Sequence, residues 1–459
     1  MTTATCYGGI SEIGGNKILI EDKKTRIFLD FGASFDLLDE YFVEYLQPRT
    51  RFGLRDYFAL DLIPKLPGLF NEWAISKTDV EYKEPEYHGI LVSHPHYDHI
   101  AHLKYVDQKI PIYIGETAKN IITSVNEISN TSYLNEKPVY MRGGGTIPPN
   151  KINMFRTGDK IKIDDIEIEP IHVDHSVPGA YGFIIHTSEG TIVYTGDLRR
   201  HGTKPELTSD FIAKAKQSDP VLLIIEGTRV APEETRKNYS ESEVCLRGQT
   251  LAKENNGLVI AMRYPKDIDR FRTFYDIAKA SGKQLVISLK TAQFMLSLKN
   301  DKALALPNPF VDEFIKIYKR EMKIYKDWEI PLLDRCVDWQ WIKENQKKII
   351  WEMEFFHLTE LIDIQPDAGG VCIHSMSEPF EEDPLSQLQD NVMQSWLDRF
   401  GIRHEQLHAS GHASMDEIFD MIKEINPKNV LPVHTKYPKL FENCGKNALL
   451  LKKGEKFEV

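Results

Sequence analysis

Short apolar runs separated by glycine-containing turns dominate the first half of the chain. These runs are rich in β-branched and aromatic residues, and they cover 17–21, 26–31, 87–94, 166–173, 182–188, 191–197 and 221–227. Such runs predict β-strands. Because helical patterns are few in this half, we predict an antiparallel β structure with a few helices. Residues 35–83 interrupt the strand pattern, and we interpret them as a decoration on the fold.

The pattern changes after Thr228. Predicted helices near 240–254, 268–280, 290–298 and 386–399 alternate with predicted strands at 257–263, 284–289 and 370–375. This alternation is typical of βαβ units on a parallel sheet. We interpret 311–361 as mostly helical. The chain therefore divides, by prediction, into residues 1–227, a second domain at 228–402 and a final segment at 403–459.

Composition narrows the class of protein. The chain has 459 residues, 41% of them hydrophobic and 27% charged, which is ordinary for a globular protein of about two or three domains. The net charge of -11 disfavours loose coating of nucleic acid, which depends on a basic surface. With five scattered cysteines, no membrane-length apolar run and no signal-peptide pattern at the N-terminus, we expect a cytoplasmic protein that does not bind membranes.

The strongest chemical signal is the run Ser93-His94-Pro95-His96-Tyr97-Asp98-His99, directly after a predicted buried strand. Imidazole and carboxylate groups suit zinc or manganese, and a loop at a strand end can turn several of them toward one point. A hydrated polar turn is the alternative interpretation. The run therefore predicts a metal site.

Three further residues end apolar strands in the same way. They are His175, Asp197 and His434, and each one taken alone could be an ordinary polar strand-end residue. Together with His94, His96, Asp98 and His99 they supply the seven groups that a dinuclear centre with a shared carboxylate requires. His172 is the competing candidate for the position of His175.

These motifs resemble a known family. HPHYDH is similar to the HxHxDH signature of the metallo-β-lactamase fold, and the sequence GGISEIGGN at 8–16 is similar to the opening of ribonuclease J. Later motifs at 175–179, 195–197, 226–228, 410–413 and 433–435 resemble the β-CASP nuclease branch. The resemblance implies an α/β fold, a metallo-β-lactamase αββα sandwich with an inserted β-CASP-like α/β domain. Residues 1–227 and 403–459 would form the sandwich, and 228–402 the insertion.

The resemblance also implies roles for single residues. His94, His96 and His175 would hold one divalent ion, Asp98, His99 and His434 a second, and Asp197 would bridge the two. Zinc is favoured, although the residues suit manganese too. A hydroxide bridging the ions would attack the phosphorus with Asp98 orienting it, and His412 would protonate the leaving group. His412 could instead be a helix-cap residue. Substrate contacts are expected from Glu226, Ser410, Gly411, Ser375, Ser377 and Arg199.

The implied function is hydrolysis of phosphodiester bonds in single-stranded RNA by a ribonuclease J-like enzyme, acting as a homo-oligomer such as a dimer. Two alternatives stay open. One is a hydrolase of the same fold acting on a lactone, thioester or small phosphodiester, since fold does not fix function. The other is a catalytically silent RNA-binding or scaffold protein. The sequence leaves exo versus endo cleavage, RNA versus DNA and the role of 35–83 open.

Overall fold

The structure is a computed structural model that describes residues 1–129, 131–140, 146–233, 236–378 and 383–459. Its strands are β1 (Thr2–Gly8), β2 (Lys17–Asp22), β3 (Thr25–Leu29), β4 (Gly89–Val92), β5 (Ile112–Gly115), β6 (Val139–Tyr140), β7 (Thr146–Ile147), β8 (Ile152–Phe155), β9 (Ile161–Ile163), β10 (Ile166–His172), β11 (Tyr181–Thr187), β12 (Gly190–Tyr194), β13 (Leu222–Glu226), β14 (Val259–Met262), β15 (Gln284–Ser288), β16 (Ile315–Tyr318), β17 (Cys336–Val337), β18 (Ile349–Glu352), β19 (Val371–His374), β20 (Arg403–Gln406), β21 (Asn429–Val433), β22 (Asn447–Ala448) and β23 (Lys456–Glu458).

The α-helices are α1 (Phe35–Tyr41), α2 (Arg55–Ala59), α3 (Glu72–Ile75), α4 (Tyr97–Ile100), α5 (Glu116–Ser129), α6 (Pro205–Gln217), α7 (Glu241–Glu254), α8 (Ile268–Ala280), α9 (Leu289–Ser297), α10 (Trp339–Asn345), α11 (Leu361–Ile364), α12 (Pro384–Arg399) and α13 (Met415–Ile425). Short 3-10 helices lie at Thr50–Phe52, Leu103–Tyr105, Ile330–Arg335, Gln346–Lys348, Phe355–Glu360 and Pro438–Cys444. No helix in the described ranges is long and apolar enough to cross a membrane.

Two seven-stranded sheets pack face to face. The first has the order β23-β1-β2-β3-β4-β5-β8 and the second has the order β22-β21-β13-β12-β11-β10-β9. Their facing sides share one core, in which Ile20 and Leu29 pack with Ile168 and Ile224. The outer face of the second sheet is covered by α6 and α13. This αββα arrangement confirms the predicted sandwich.

The prediction of antiparallel β structure is wrong for half of each sheet. Strands β3, β4, β5 and β8 pair in parallel, and so do β12, β13, β21 and β22. Residue type identifies a strand but not its direction, which depends on the connection between strands. Here residues 30–88 and helix α5 are long enough to provide the crossovers that parallel pairing needs.

The decoration at 35–83 covers the outer face of the first sheet. Leu54, Phe58 and Leu69 pack there against Phe28 and Ile90. This segment therefore buries an apolar sheet face, which explains its many aromatic residues.

The third sheet is entirely parallel, with the order β17-β16-β15-β18-β14-β19-β20, and apolar clusters cover both of its faces. The prediction that 311–361 is mostly helical is wrong, since β16, β17 and β18 lie there. These strands are only 4, 2 and 4 residues long and are flanked by charged segments that hide their pattern. The sheet extends to Gln406 through β20, a few residues past 402.

Candidate metal centre

The loop at 93–99 leaves the end of β4, and two glycine segments hold it from outside. The Gly15 amide donates to Asp98 O at 3.1 Å, and the Phe31 amide donates to His99 O at 2.9 Å. A Cβ on Gly32 would lie 1.7 Å from Asp98 O, and one on Gly14 would lie 2.6 Å from Asp98 Cβ. The glycine-rich opening of the chain therefore lets backbone pack closely against this loop.

The predicted ligands form two adjoining groups. In each group, one nitrogen or oxygen atom per side chain lies within 4.8 Å of the others. The first group is His94, His96, His175 and Asp197, and the second is Asp98, His99, His434 and Asp197. Asp197 belongs to both groups, so its carboxylate is placed where a bridging ligand would be. His172 instead stacks on Tyr181, with ring centroids 4.1 Å apart.

Hydrogen bonds orient the imidazoles. The Nδ1 atoms of four of them contact groups outside the cluster: Ser93 Oγ for His94 (3.0 Å), Asp30 Oδ2 for His99 (2.8 Å), Gly411 O for His175 (2.6 Å) and Thr228 Oγ1 for His434 (2.8 Å). Their Nε2 atoms therefore face the cluster. His96 is turned the other way, because its Nδ1 lies 3.1 Å from both His94 Nε2 and His175 Nε2. Fixing one ring nitrogen leaves the other with a lone pair for a metal.

The donor atoms of the cluster fit a divalent cation. Asp197 Oδ1, Asp197 Oδ2 and His99 Nε2 are buried without a hydrogen-bond partner among the described residues. Buried polar atoms normally have partners, so these exceptions need an explanation. Asp197 Oδ2 also lies 3.2 Å from His99 Nε2, 3.5 Å from His94 Nε2 and 3.7 Å from His434 Nε2. An oxygen surrounded by imidazole nitrogens is a typical metal-binding arrangement.

The protonation states agree with this fit. Burial lowers the pKa of His96 to about 4 and holds the pKa values of His94 and His175 well below their usual range, so these rings are neutral. Burial also disfavours charge on His434, but the carboxylates of Asp197 and Asp98 outweigh it and raise its pKa to about 9. The second group therefore attracts positive charge, whether carried by a proton or by a metal ion.

His412 lies at the edge of the cluster. Its Nδ1 is 2.8 Å from Glu226 Oε2 and 3.9 Å from Asp197 Oδ2, and 22% of its side chain is exposed. Glu226 is itself buried, and it also accepts hydrogen bonds from the Leu198 amide (2.8 Å) and the Thr228 hydroxyl (2.6 Å). His412 is thus held by one nitrogen while its ring borders the cluster.

The other predicted substrate contacts are not equally open. Ser377 is exposed, and Ser410 is half-buried beside His412, whose amide donates to the Ser410 hydroxyl at 3.1 Å. Ser375 is buried and hydrogen-bonds to Leu407 O and to Arg270. Gly411 is also buried, and its carbonyl accepts from His175.

Arg199 is fully buried. It contacts Asp174 Oδ1 at 3.1 Å and Ser410 O at 3.1 Å. Its guanidinium is therefore surrounded by protein groups and holds the loop that carries His412. This loop and the residue before it are therefore held from inside the protein by contacts with Glu226, Ser375 and Arg199.

Two residues that sequence reasoning missed help to build the site. The buried Asp30 carboxylate contacts His99 Nδ1 and accepts hydrogen bonds from the Ser93 amide (2.7 Å), the Ser93 hydroxyl (2.7 Å) and the Tyr194 hydroxyl (2.7 Å). Its place after an apolar strand was a detectable signal. Arg270 lies in α8 with its side chain fully buried in the protein, and no sequence pattern distinguished it from a surface arginine.

Fold and site together define a metallo-β-lactamase-fold protein with an inserted α/β domain and a His/Asp cluster suited to divalent metal. Residues 67–250 match the beta-lactamase superfamily domain. Residues 401–443 match the Zn-dependent metallo-hydrolase RNA specificity domain. The second match includes both His412 and His434.

The chain is similar to ribonuclease J over nearly its whole length. It is 23% identical to ribonuclease J of Helicobacter pylori over 99% of this chain, and it spans only 60% of the length of that relative. It is 24% identical to ribonuclease J of Pyrococcus abyssi, with 98% and 96% covered. A solved structure of a protein of unknown function from Enterococcus faecalis V583 is 26% identical, with a TM-score of 0.77 and 99% of each chain covered.

Proposed function

We propose that this chain is a metal-dependent ribonuclease that cleaves phosphodiester bonds in single-stranded RNA. The observation that carries the proposal is the shared position of Asp197 between two ligand groups, with His412 and Glu226 beside it. The similarity to ribonuclease J and the match to an RNA specificity domain support RNA as the substrate.

We further propose that the site holds two divalent ions, zinc rather than manganese. His94, His96 and His175 would bind one ion, Asp98, His99 and His434 the other, and Asp197 both. When bound, such ions supply Lewis acidity, which lowers the pKa of water and neutralises charge on a phosphate.

The side chains around the ions have separate tasks. The Asp98 carboxylate lies 2.8 Å from His434 Nε2, and it would orient the attacking water. His412 would protonate the leaving oxygen. Glu226 holds His412 Nδ1 at 2.8 Å, so the other ring nitrogen is left to exchange the proton, and the carboxylate stabilises the imidazolium.

The substrate contacts and the assembly also remain proposals. Ser377 and Ser410 are the two predicted contacts left open to solvent, and they would contact the substrate directly. Gly411 is buried and would act through its bond to His175, whereas Glu226, Ser375 and Arg199 would act by holding the loop at 408–412. The division into residues 1–227, 228–402 and 403–459, a homodimer and a cytoplasmic location are proposed on the resemblance to ribonuclease J.

The test is to incubate zinc- or manganese-loaded protein with a 5′-monophosphorylated single-stranded RNA and to resolve the products over time. The matched control is Asp98→Ala, which should lose both hydrolysis and metal. Mononucleotides released only by the intact protein would indicate an exonuclease, and internal fragments would indicate an endonuclease. No cleavage by protein that carries two metals per chain would overturn the proposal and favour a lactone, thioester or small-phosphodiester hydrolase.

A further inference from the structure

Three arginines gather around one phenylalanine ring on the decoration at 35–83. The guanidinium carbons of Arg49, Arg51 and Arg55 lie 4.6, 4.7 and 5.3 Å from the centroid of the Phe52 ring. All three arginines are exposed, and the run 47–55 contains no acidic residue. This arginine cluster therefore holds three like charges side by side on the surface of a chain whose net charge is -11.

The carboxylate of Asp56 pairs with only one member of the arginine cluster. Its Oδ1 lies 2.6 Å from Arg49 Nη2, and its Oδ2 lies 2.9 Å from Arg49 Nε. Among the described residues, none forms an ion pair or a hydrogen bond with the guanidinium of Arg51 or Arg55. Because like charges repel, an anion bound between these two guanidinium groups would stabilise them.

The segment that carries the arginine cluster is anchored to the sandwich. Leu54 and Phe58 are buried in the apolar cluster on the outer face of the first sheet, and the Leu54 amide donates to Ala74 O at 2.8 Å. The arginine side chains therefore point into solvent from a fixed base. That base lies on an outer face of the sandwich, whereas the candidate ligands lie at strand ends.

An open cavity continues the positive surface beyond Arg55. It has a volume of about 270 Å³, and its lining includes Arg55, Lys65, Lys77 and Asp79. Asp79 pairs with Lys65 at 2.8 Å, but no carboxylate in the described ranges pairs with Lys77. Lys77 is therefore a third cation, after Arg51 and Arg55, that this surface leaves without a counter-charge.

We propose that the arginine cluster and Lys77 form a second RNA-binding site, which holds the phosphate backbone of single-stranded RNA outside the metal centre. This inference rests on the proposed function, since it takes RNA to be the substrate. Guanidinium groups match phosphate oxygens in geometry as well as in charge, and contacts to the backbone read no base. Tyr45, four residues before Arg49, is 99% exposed and offers a ring on which a base can stack. The site would anchor a long RNA of any sequence while another part of the strand occupies the metal centre.

The experiment compares Arg51→Gln/Arg55→Gln with the control Lys214→Gln/Lys216→Gln. The control removes the same charge from exposed lysines on α6, which covers the outer face of the second sheet. Zinc-loaded proteins are titrated with an uncleavable, fluorescein-labelled RNA of about 24 nucleotides at several KCl concentrations. KM is then measured for a cleavable RNA of the same length and for a trinucleotide, which is too short to occupy both sites.

The arginine variant should bind the long RNA about 10-fold more weakly than the control does. Its KM should rise by a similar factor for the long RNA and by much less for the trinucleotide. The slope of log affinity against log salt should be shallower by about 1.4, as expected for two lost phosphate contacts on a single strand.

Arg51→Lys/Arg55→Lys tests whether charge is responsible. This variant keeps both cations, so it should keep most of the affinity for the long RNA, whereas lost packing against Phe52 would lower the melting temperature of both arginine variants. If the Lys variant binds RNA as weakly as the Gln variant, or if the Gln variant binds RNA like the lysine control, the inference is overturned.

Inorganic phosphate is titrated in parallel by calorimetry. A Gln variant that loses phosphate binding but keeps its affinity for RNA would make the cluster a site for a small anion, which also overturns the inference. RNA binding without cleavage by the wild type would overturn the proposed function alone, and absence of RNA binding would overturn both.

Discussion

His175 Nδ1 lies 2.6 Å from the carbonyl oxygen of Gly411, which joins a candidate metal ligand directly to the loop that carries His412. The bond fixes the proton on Nδ1 and leaves Nε2 for the metal. Arg199 and His201 hold the next carbonyl back along the chain, Ser410 O, at 3.1 and 3.0 Å. The proposed metal binding and the proposed proton donation would therefore depend on one loop.

Gly411→Ala should disturb both functions. The new Cβ would lie 2.7 Å from Ser176 Oγ and 3.2 Å from His175 Cε1, so the His175 ring or the loop must move. We expect metal affinity and kcat to fall by about 10- to 100-fold each, as for loss of a partner that orients a ligand. The measurements are metal content after dialysis and steady-state cleavage. Gly282→Asn, a control in open space, should change neither, and normal metal affinity in Gly411→Ala would contradict the coupling.

His412→Ala separates chemistry from metal binding. The ring borders Asp197 at 3.9 Å, but Glu226 holds its Nδ1, so metal content should stay near that of the wild type. Loss of a general acid should slow cleavage by about 100- to 10,000-fold. Single-turnover kinetics on metal-quantified protein would check this, and full activity would remove His412 from the mechanism. Glu226→Gln should give a smaller loss, because the ring keeps a neutral partner.

Arg270 should matter for stability as well as for activity. It contacts Glu241 Oε1 at 2.8 Å and Ala409 O at 3.0 Å, and all of these groups are buried. Arg270→Met leaves the Glu241 charge without this partner, which costs about 3–5 kcal/mol for a buried pair. Urea unfolding would measure the loss. The double variant with Glu241→Leu should recover part of it, while kcat stays low because the loop at 408–412 remains released. If the losses of unfolding free energy in Arg270→Met and Glu241→Leu simply add in the double variant, the two residues do not act as a buried pair.

Lys17 should make the free energy of unfolding depend on pH, and a single substitution can measure its contribution. Burial lowers its pKa to about 7, against a usual value of 10.5, and Glu12 only partly opposes this effect. Between these two values the unfolded chain binds more protons than the folded chain, so the free energy of unfolding rises with pH across about 7 to 10.5. The slope contribution approaches about 1.4 kcal/mol per pH unit at most.

The check is urea unfolding of the wild type and of Lys17→Met from pH 7 to 10 at fixed free zinc. The free energy of unfolding of the wild type minus that of Lys17→Met should rise steadily as the pH rises from 7 to 10. A difference that is independent of pH would mean that Lys17 titrates normally in the folded protein. Comparing the two proteins at each pH removes the effect of pH on the metal ligands.

The sequence revealed the candidate ligands because their chemistry is concentrated in short runs after apolar strands. His94, His96, Asp98 and His99 stand within six positions, and His175, Asp197 and His434 each follow a strand. The structure brings all seven side chains together. Their roles as ligands stay predictions until metal is measured.

A residue that supports the site only through a partner distant in sequence has no such local pattern to mark it. Arg270 meets Ala409 across 139 positions and follows no strand, whereas Asp30, which meets His99 across 69 positions, does follow an apolar strand. A buried arginine looks like a surface arginine until its partners are known. The prediction of strand direction was wrong for the same reason, since direction depends on how distant segments of the chain return to the sheet.

The bond between Asp98 and His434 joins residues 336 positions apart, and β23 near the C-terminus pairs with β1 at the N-terminus. During synthesis six of the seven candidate ligands are therefore made in the first half of the chain, and the last one, His434, is made much later. Contacts of such high sequence separation form late, because closing the loop costs entropy first. The candidate metal centre is therefore incomplete until nearly the whole sequence has been synthesised.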